Sequence, residues 1–205
     1  MAAPIPYRSL TALAQAEEQC TRCPLYKHAT QVVPGEGSPR SRVIMVGEQP
    51  GDKEDIAGKP FVGPAGRMLD RAIAVAGLDR RKIFVTNAVK HFKFEQRGKR
   101  RLHKKPNAYE IDRCRWWLDL ERKLVKPEVI VALGATAARA LTGRPVTIAK
   151  VRGTALPLED GSRMVTTIHP SYLLRIRDDG DKAAEYRRFV QDLRACAKLL
   201  TDKAA

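Results

Sequence analysis

Arg42-Val-Ile-Met-Val-Gly47 is a short apolar run that ends in a glycine, and a Gly/Pro-rich segment, residues 48–64, follows it. Such a run is typical of a buried strand. Three further segments have the same character, at 82–87, 127–134 and 164–169. Helical patterns separate them, and strands that alternate with helices indicate a mostly parallel sheet covered on both faces. We therefore expect an α/β fold, a three-layer α/β/α sandwich around a central, mostly parallel four-stranded sheet.

The connecting segments show helical spacing and helix stop signals. These predicted helices are 8–18, 67–77, 108–124, 135–141 and 183–201. Residues 151–158 are compatible with an edge hairpin, and residues 90–107 predict a loop. A chain of 205 residues favours a single domain over 1–205. Within it, residues 1–30 would form an N-terminal helix and a cysteine-bearing segment.

The chain is strongly basic, since 38 Lys and Arg stand against 23 Asp and Glu and give a formal charge of +15. Such a charge points to a polyanion, with nucleic acid as the leading candidate. Between Lys90 and Lys105 there are eight Lys or Arg and one acid, Glu95. This stretch is either a solvated surface loop or a DNA-facing clamp. We favour the clamp, because it leaves a strand end that carries Asn87.

Composition also indicates where in the cell the protein is expected. No stretch approaches the ~20 apolar residues of a membrane span, and residues 1–8 lack the pattern of a secretory signal. We expect a cytoplasmic monomer with no membrane association. In a reducing cytosol, thiols are more often metal ligands or core groups than disulfides. Cys20-Thr-Arg-Cys23 is a metal-binding pair, a redox dithiol or a chance pair, and Cys196 on the apolar stripe of the last helix indicates a core residue.

In open α/β sheets the functional site lies outside the carboxyl ends of the strands. Four segments fall there, at 47–51, 87–91, 134–136 and 169–174, and they resemble the uracil-DNA glycosylase superfamily. Gly47-Glu-Gln-Pro-Gly51 with Pro60-Phe-Val-Gly-Pro-Ala-Gly66 resembles the first motif of its iron–sulfur branches, and His169-Pro-Ser-Tyr-Leu-Leu174 the second. The UDGX subgroup is the nearest match. Its hallmarks are residues 47–55, Thr86-Asn-Ala-Val-Lys-His-Phe-Lys-Phe94 and Gly98-Lys-Arg-Arg-Leu-His103.

The resemblance, which runs from about Cys20 to the final helix, implies excision of uracil from DNA after the base is flipped into a pocket. Phe61 would stack on the base, and Asn87 would read its polar edge. His169 would hydrogen-bond O2 of the departing anion, with backbone N–H groups around Gln49 as further donors. Taken singly, Phe61 is more often a core aromatic and Asn87 a turn or cap residue, and His169 is equally explained as a structural histidine.

Other residues are expected to contact the DNA. Leu173 or Leu174 would wedge into the base stack, and we take Leu173 as the contact although the sequence does not distinguish them. The further expected contacts are Lys99, Arg100, Arg101 and Ser171. Gly134-Ala-Thr136 is either a tight βα turn or a donor of N–H groups to a phosphate. The expected substrate is uracil-containing DNA, with single strands favoured, and the product is free uracil.

His103 is the residue that would distinguish this chain. In the resembling subgroup the matching histidine attacks C1′ after uracil departs, so that the protein stays attached to the abasic site. Like charges around His103 disfavour its cationic form, and a held imidazole should outcompete water. Glu48 is the expected proton acceptor, and Asp52, also expected at the substrate, would pair with the basic loop together with Asp55. The alternatives are a turnover glycosylase in which His103 only positions water or substrate, and a binding module without chemistry.

The related branches hold a 4Fe-4S cluster on four cysteines. Here Cys20, Cys23 and Cys114 match three of them, and His91 stands where the remaining cysteine would be. The resemblance therefore implies a cluster on three cysteines and one histidine, which is chemically feasible because imidazole ligates iron in Rieske centres. A zinc ion is the alternative, since the same ligand set suits it.

Overall fold

The computed structural model of the protein describes residues 6–201. Residues 1–5 and 202–205 lie outside the described residues. The expectations that concern them, the missing secretory signal and the outer ends of the 1–205 domain, therefore stay predictions. Within the described residues, no helix combines the length and apolar character that a membrane span requires.

A five-stranded sheet in the order β2-β1-β5-β7-β6 forms the centre of the molecule. Its strands are β1 (Val43–Gly47), β2 (Ile83–Asn87), β5 (Val129–Leu133), β6 (Ala155–Pro157) and β7 (Arg163–Thr167). All neighbours are parallel except β6, which runs antiparallel to β7 at the edge. The predicted α/β sandwich is confirmed. The expected number of four strands is wrong by one, because the fifth strand, β6, was expected only as part of an edge hairpin at 151–158.

Helices cover both faces of this sheet. The larger ones are α1 (Leu10–Glu18), α3 (Pro64–Val75), α4 (Ala108–Val125), α5 (Ala135–Thr142) and α8 (Asp179–Thr201). Successive side chains of a strand point to opposite faces. Val43 and Met45 of β1 belong to a core shared with α3 and α8, whereas Ile44 and Val46 belong to a core shared with α1, α4 and α5. The continuous apolar run of β1 is therefore explained by burial on both sides.

Residues 90–107 do not form the loop that the sequence predicted. They contain an antiparallel hairpin of β3 (Phe94–Arg97) and β4 (Arg100–His103), a two-stranded sheet separate from the central one. We call residues 94–103 the basic hairpin. Phe92 and Phe94 pack together at its base, with ring centroids 5.2 Å apart. The guanidinium of Arg101 lies over both rings. This packing gives the basic segment the apolar support that a short hairpin needs.

Three short helices complete the fold: α2 (Asp52–Ala57), α6 (Ile148–Val151) and α7 (Pro170–Leu173). The sequence predicted residues 48–64 as a loop throughout, and α2 corrects this. The Glu54 side chain stabilises the start of α2 by accepting hydrogen bonds from the backbone N–H groups of Gly51 and Gly63. As a result, the segment after β1 folds back over the end of the sheet.

Candidate active site

A cleft of about 600 Å³ opens outside the carboxyl ends of β1, β2 and β7. This is where ligands bind in open parallel sheets. Eight of the residues expected at the substrate or DNA line it: Glu48, Gln49, Asp52, Phe61, Asn87, His103, His169 and Ser171. Segments that are far apart in the sequence therefore meet at one place because the strands are parallel.

Phe61 is held in the cleft in a strained backbone conformation. Its φ of 59° lies in the left-handed region, which a bulky residue rarely adopts. Its ring lies 6.3 Å from the imidazole of His169, at an interplanar angle of 26°. A side chain at position 66 would bring its Cβ to 1.6 Å from the Phe61 carbonyl oxygen. Gly66 is thus required for the position of Phe61, and strain of this kind is typical of functional sites.

Asn87 ends β2 with its side chain directed at the cleft. It is 3% exposed, and a Cβ at Gly47 would lie 2.3 Å from its Oδ1 atom and 2.7 Å from the ring of Phe61. Gly47 therefore allows the amide and the aromatic ring to approach the same point. Among residues 6–201, no side chain or backbone group hydrogen-bonds this amide, so its donor and acceptor are free for a ligand.

His169 caps α7 as a neutral imidazole. Its Nδ1 atom accepts from the backbone N–H of Ser171 at 3.2 Å and lies 2.8 Å from the Ser171 hydroxyl. Burial lowers the pKa of His169 to about 4, although Glu48 opposes this shift. Because Nδ1 accepts, the ring proton of the neutral form is on Nε2, which is then free to donate. The Ser171 side chain, which we expected at the DNA, is engaged with His169.

The low pKa of His169 should make stability depend on pH. Its ordinary pKa of 6.5 falls to about 4 in the fold, so between these values only the unfolded chain is protonated. The free energy of unfolding should therefore fall on acidification through this range, by up to about 1.4 kcal/mol per pH unit from this residue. Urea unfolding of wild type and His169→Asn at several pH values tests this. If the difference in free energy of unfolding between wild type and His169→Asn did not change with pH, a lowered pKa of His169 in the fold would be contradicted.

Glu48 connects His103 to the core of the cleft. His103, on β4, places Nε2 3.3 Å from Oε1 of Glu48, and the Thr136 hydroxyl donates to Oε2 at 2.5 Å. Burial raises the pKa of Glu48, but the hydrogen bonds from His103 and Thr136 outweigh it and hold this pKa below its usual range. Glu48 is therefore an ionised acceptor. The sequence missed Thr136 in this role, although its place after β5 indicated a residue of the cleft.

Arg101 fixes the basic hairpin to α2. Its guanidinium lies 2.7 Å from Asp52 and 2.6 Å from the fully buried Asp55, and it donates to the Thr30 hydroxyl at 3.0 Å. Arg101, expected at the DNA, is thus turned inward in this structure. Asp52, expected at the substrate, is the partner of Arg101 at the edge of the cleft. Lys99 and Arg100, in contrast, are exposed on the hairpin.

The side chain of Gln49 points away from the centre of the cleft. Its Nε2 donates to the carbonyl oxygens of Lys93 and Lys104 at 3.0 and 3.2 Å, and its Oε1 accepts from the Lys93 N–H at 3.2 Å. The sequence predicted only backbone donors around Gln49. Its side chain instead holds both ends of the basic hairpin.

The two leucines after His169 have different environments. Leu173 is completely buried in the core shared with α3 and α8, whereas Leu174 is 41% exposed and lines the cleft. Taking Leu173 as the DNA contact does not fit this placement, because α7 turns its side chain into the protein. Leu174 is the leucine that can reach a base stack.

Three cysteines lie together in the core that the sheet shares with α1, α4 and α5. Cys20, Cys23 and Cys114 are buried in one core, and the thiol of Cys23 interacts electrostatically with both others. The indole N–H of Trp117 donates to Cys20 Sγ at 3.0 Å, and the Lys90 N–H donates to Cys114 Sγ at 3.2 Å. His91 is buried as well, and burial lowers its pKa to about 4.

The donor set fits a thiolate-bound group in its chemistry. Burial raises the pKa of the Cys23 and Cys114 thiols, and a cation reverses this because a coordinating thiol loses its proton. N–H donors to two of the sulfurs favour the same charged state. Among residues 6–201, however, no three His, Cys, Asp or Glu side chains are already arranged to hold a metal ion. The three thiols are therefore close together, but they do not form a finished metal site.

Comparison with known proteins agrees with this geometry. The family model described as the uracil DNA glycosylase superfamily matches residues 34–194. A type-4 uracil-DNA glycosylase of Thermotoga maritima is 38% identical over 179 residues, 87% of each chain. That of Pyrobaculum aerophilum is 39% identical over 132 residues, 64% of each, and that of Archaeoglobus fulgidus is 32% identical over 81% of this chain and 83% of its own. With this match over most of its length, the chain belongs to the uracil-DNA glycosylase superfamily.

Proposed function

We propose that the protein excises uracil from DNA and then becomes covalently bound, through His103, to C1′ of the abasic site. The observation that carries this proposal is the pairing of His103 with Glu48 in the cleft that also holds Phe61, Asn87 and His169. The type-4 relatives, named as uracil-DNA glycosylases, support the excision step. The attachment step depends on His103.

Three residues of the cleft suit excision. A flipped uracil fits against the ring of Phe61, and the unpartnered amide of Asn87 can offer a donor and an acceptor to its edge. The Nε2–H of neutral His169 can donate to O2 as the C1′–N1 bond breaks and its electron pair leaves with uracil. A fixed donor aimed at developing negative charge lowers the barrier to this step.

In the attachment step, His103 supplies the electron pair for the new bond and Glu48 takes the released proton, so no other group is needed. One ring nitrogen of the neutral imidazole supplies its lone pair to the cationic C1′ and forms the new C–N bond. The ring becomes cationic, and its remaining N–H proton passes to the Glu48 carboxylate, which leaves a neutral imidazole on the sugar. An imidazole already held at the sugar reacts ahead of water through its effective concentration.

The exposed surface around the cleft suits a DNA strand. Lys99 and Arg100 extend from the basic hairpin and can neutralise phosphates, while Leu174 lies beside the cleft where a flipped base would leave a gap. Single strands should be the favoured substrate, because their bases need not be unpaired first. We propose that the protein acts as a monomer in the cytoplasm and releases free uracil.

Replacing the two leucines after His169 one at a time should affect different properties, excision in one case and stability in the other. Leu174→Ala should slow excision from duplex DNA by about tenfold but leave single-stranded DNA and stability nearly unchanged, because only a duplex needs the wedge. Leu173→Ala should instead lower the free energy of unfolding by about 2–5 kcal/mol through loss of core packing. Single-turnover excision and urea unfolding separate the two. Equal slowing of duplex and single-stranded excision by Leu174→Ala would contradict a wedge.

Cys20, Cys23, Cys114 and His91 would hold a 4Fe-4S cluster, with zinc as the alternative. The buried thiols of Cys20, Cys23 and Cys114, with N–H donors to two of the sulfurs, support this ligand set. A bound cluster would tie the N-terminal segment to the base of the basic hairpin and would supply no step of the reaction. Its role is therefore structural.

The cluster proposal predicts a brown protein that contains iron. Cys23→Ala should lower the iron content and the visible absorption severalfold. Cys196→Ala is the matched control, because Cys196 is equally buried but lies in the other core, and its iron content should equal that of wild type. A colourless preparation that contains zinc would contradict the cluster.

Two measurements distinguish the proposed function from its alternatives. Release of free uracil from labelled uracil-DNA, with thymine-DNA as the control, separates an enzyme from a binding module. A band of protein and DNA that survives boiling in denaturant separates covalent attachment from ordinary turnover.

A further inference from the structure

Gln49 joins the motif that follows β1 to the basic hairpin. Its side-chain amide makes three hydrogen bonds, all to backbone groups, at Lys93 and Lys104. These two residues directly flank the hairpin, and they are bonded to each other as well, since the Lys104 N–H donates to the Lys93 carbonyl at 2.9 Å. The amide thus extends the hairpin by one rung at the end that carries His103.

Only a carboxamide of this length provides that set of contacts. Two of the bonds require a donor and one requires an acceptor, and an amide offers both whereas a carboxylate only accepts. Gln49 is 6% exposed, so its amide has little access to water as an alternative partner. Loss of the amide would remove all three bonds, although the Lys93 carbonyl would still accept from the Lys104 N–H.

The neighbouring residue, Glu48, holds the ring of His103. Two consecutive residues of one loop therefore position His103. Glu48 contacts its imidazole, and Gln49 bonds to the backbone at the end of the hairpin that carries it. Because Gln49 uses backbone groups only, its effect does not depend on which side chains the hairpin carries. Its amide is also occupied by these bonds, which argues against a direct contact with the base.

We infer that Gln49 is a positioning residue that decides whether His103 or water captures the abasic site. The inference rests on the proposed covalent function. With the hairpin anchored, the imidazole is close enough to C1′ to react first. With the anchor removed, the hairpin moves relative to the cleft, and a displacement of about 1 Å lowers the rate of a positioned reaction by about 100-fold. The proposed excision step uses Phe61, Asn87 and His169, so counting adduct per uracil released separates capture from cutting even where excision itself slows.

The test is the partition of product in single-turnover reactions with labelled uracil-DNA. Free abasic DNA and covalent adduct are counted per uracil released, for wild type, Gln49→Ala and Gln49→Glu. The matched control is Gln191→Ala, because Gln191 is an exposed glutamine on α8 outside the cleft. A second measurement, amide hydrogen exchange over residues 93–104 in the free proteins, reports the anchor without DNA.

Both Gln49 variants should raise the ratio of free abasic DNA to adduct by about 10- to 100-fold, with faster exchange confined to residues 93–104, and Gln191→Ala should match wild type. General destabilisation would lower adduct and uracil release together and leave the ratio unchanged. A wild-type ratio in both Gln49 variants overturns the inference. If wild type releases uracil without any adduct, the proposed function fails, and unchanged exchange in Gln49→Ala would separately overturn the anchor.

Discussion

Replacing His103 by alanine should abolish the denaturant-stable attachment to uracil-DNA while uracil release continues. His103 and the Thr136 hydroxyl both contact Glu48, but of these two only His103 lines the cleft. Loss of its imidazole removes an effective concentration that water cannot match. We expect adduct formation to fall by at least about 10³-fold. The small side chain should also admit water, so that the variant turns over.

The measurement is a denaturing gel of protein with labelled uracil-DNA, run beside an assay of free uracil. His28→Ala is the matched control, because His28 is an exposed histidine outside the cleft. Glu48→Gln should also reduce adduct strongly, since an amide cannot take the ring proton. Adduct formation by His103→Ala at the wild-type rate would show that another residue is the nucleophile.

The second large effect concerns stability and a buried ion pair. Lys90 is completely buried with its Nζ 2.7 Å from Glu121 Oε1, and it also donates to the Thr86 hydroxyl. Glu17 nearby adds little negative charge, because burial raises its pKa to about 8 despite the opposing effect of Lys90. Lys90→Met should lower the free energy of unfolding by about 3–5 kcal/mol, since it leaves the Glu121 carboxylate buried without a cation.

Denaturant unfolding at neutral pH measures this effect. Lys82→Met is the control, because Lys82 is exposed and its loss should change stability by less than about 0.5 kcal/mol. Adding Glu121→Gln to Lys90→Met should recover much of the loss by removing the buried charge. If Lys90→Met is as stable as Lys82→Met, the pair does not stabilise the fold.

The sequence was informative where local pattern and topology coincide. The four parallel strands are short runs rich in apolar residues and threonine, and the residues at their carboxyl ends meet in the cleft because parallel strands end at one edge. The basic hairpin was not predictable in the same way. Its Lys/Arg-rich composition conceals the strands, and its stability comes from Gln49, Asp52 and Asp55, which precede it by some 40 residues or more.

Side-chain direction was equally hidden. A short helix at 170–173 decides that Leu173 enters the core and Leu174 faces the cleft, and consecutive leucines give no periodicity from which this follows. The sequence placed Thr136 in the turn after β5, but it did not show that the Thr136 hydroxyl donates a hydrogen bond to Glu48. In both cases the contact is tertiary, so no local pattern contains it.

The basic hairpin pairs with no strand of the central sheet. Its backbone hydrogen bonds close within itself and onto one loop, so the packing of both cores is independent of it. In the proposed function, capture of the sugar uses the basic hairpin with Glu48 and Gln49, whereas cutting of the base uses Phe61, Asn87 and His169. A scaffold of the same shape could gain or lose the ability to remain on its lesion through exchange of the hairpin together with the two residues that hold it, Glu48 and Gln49.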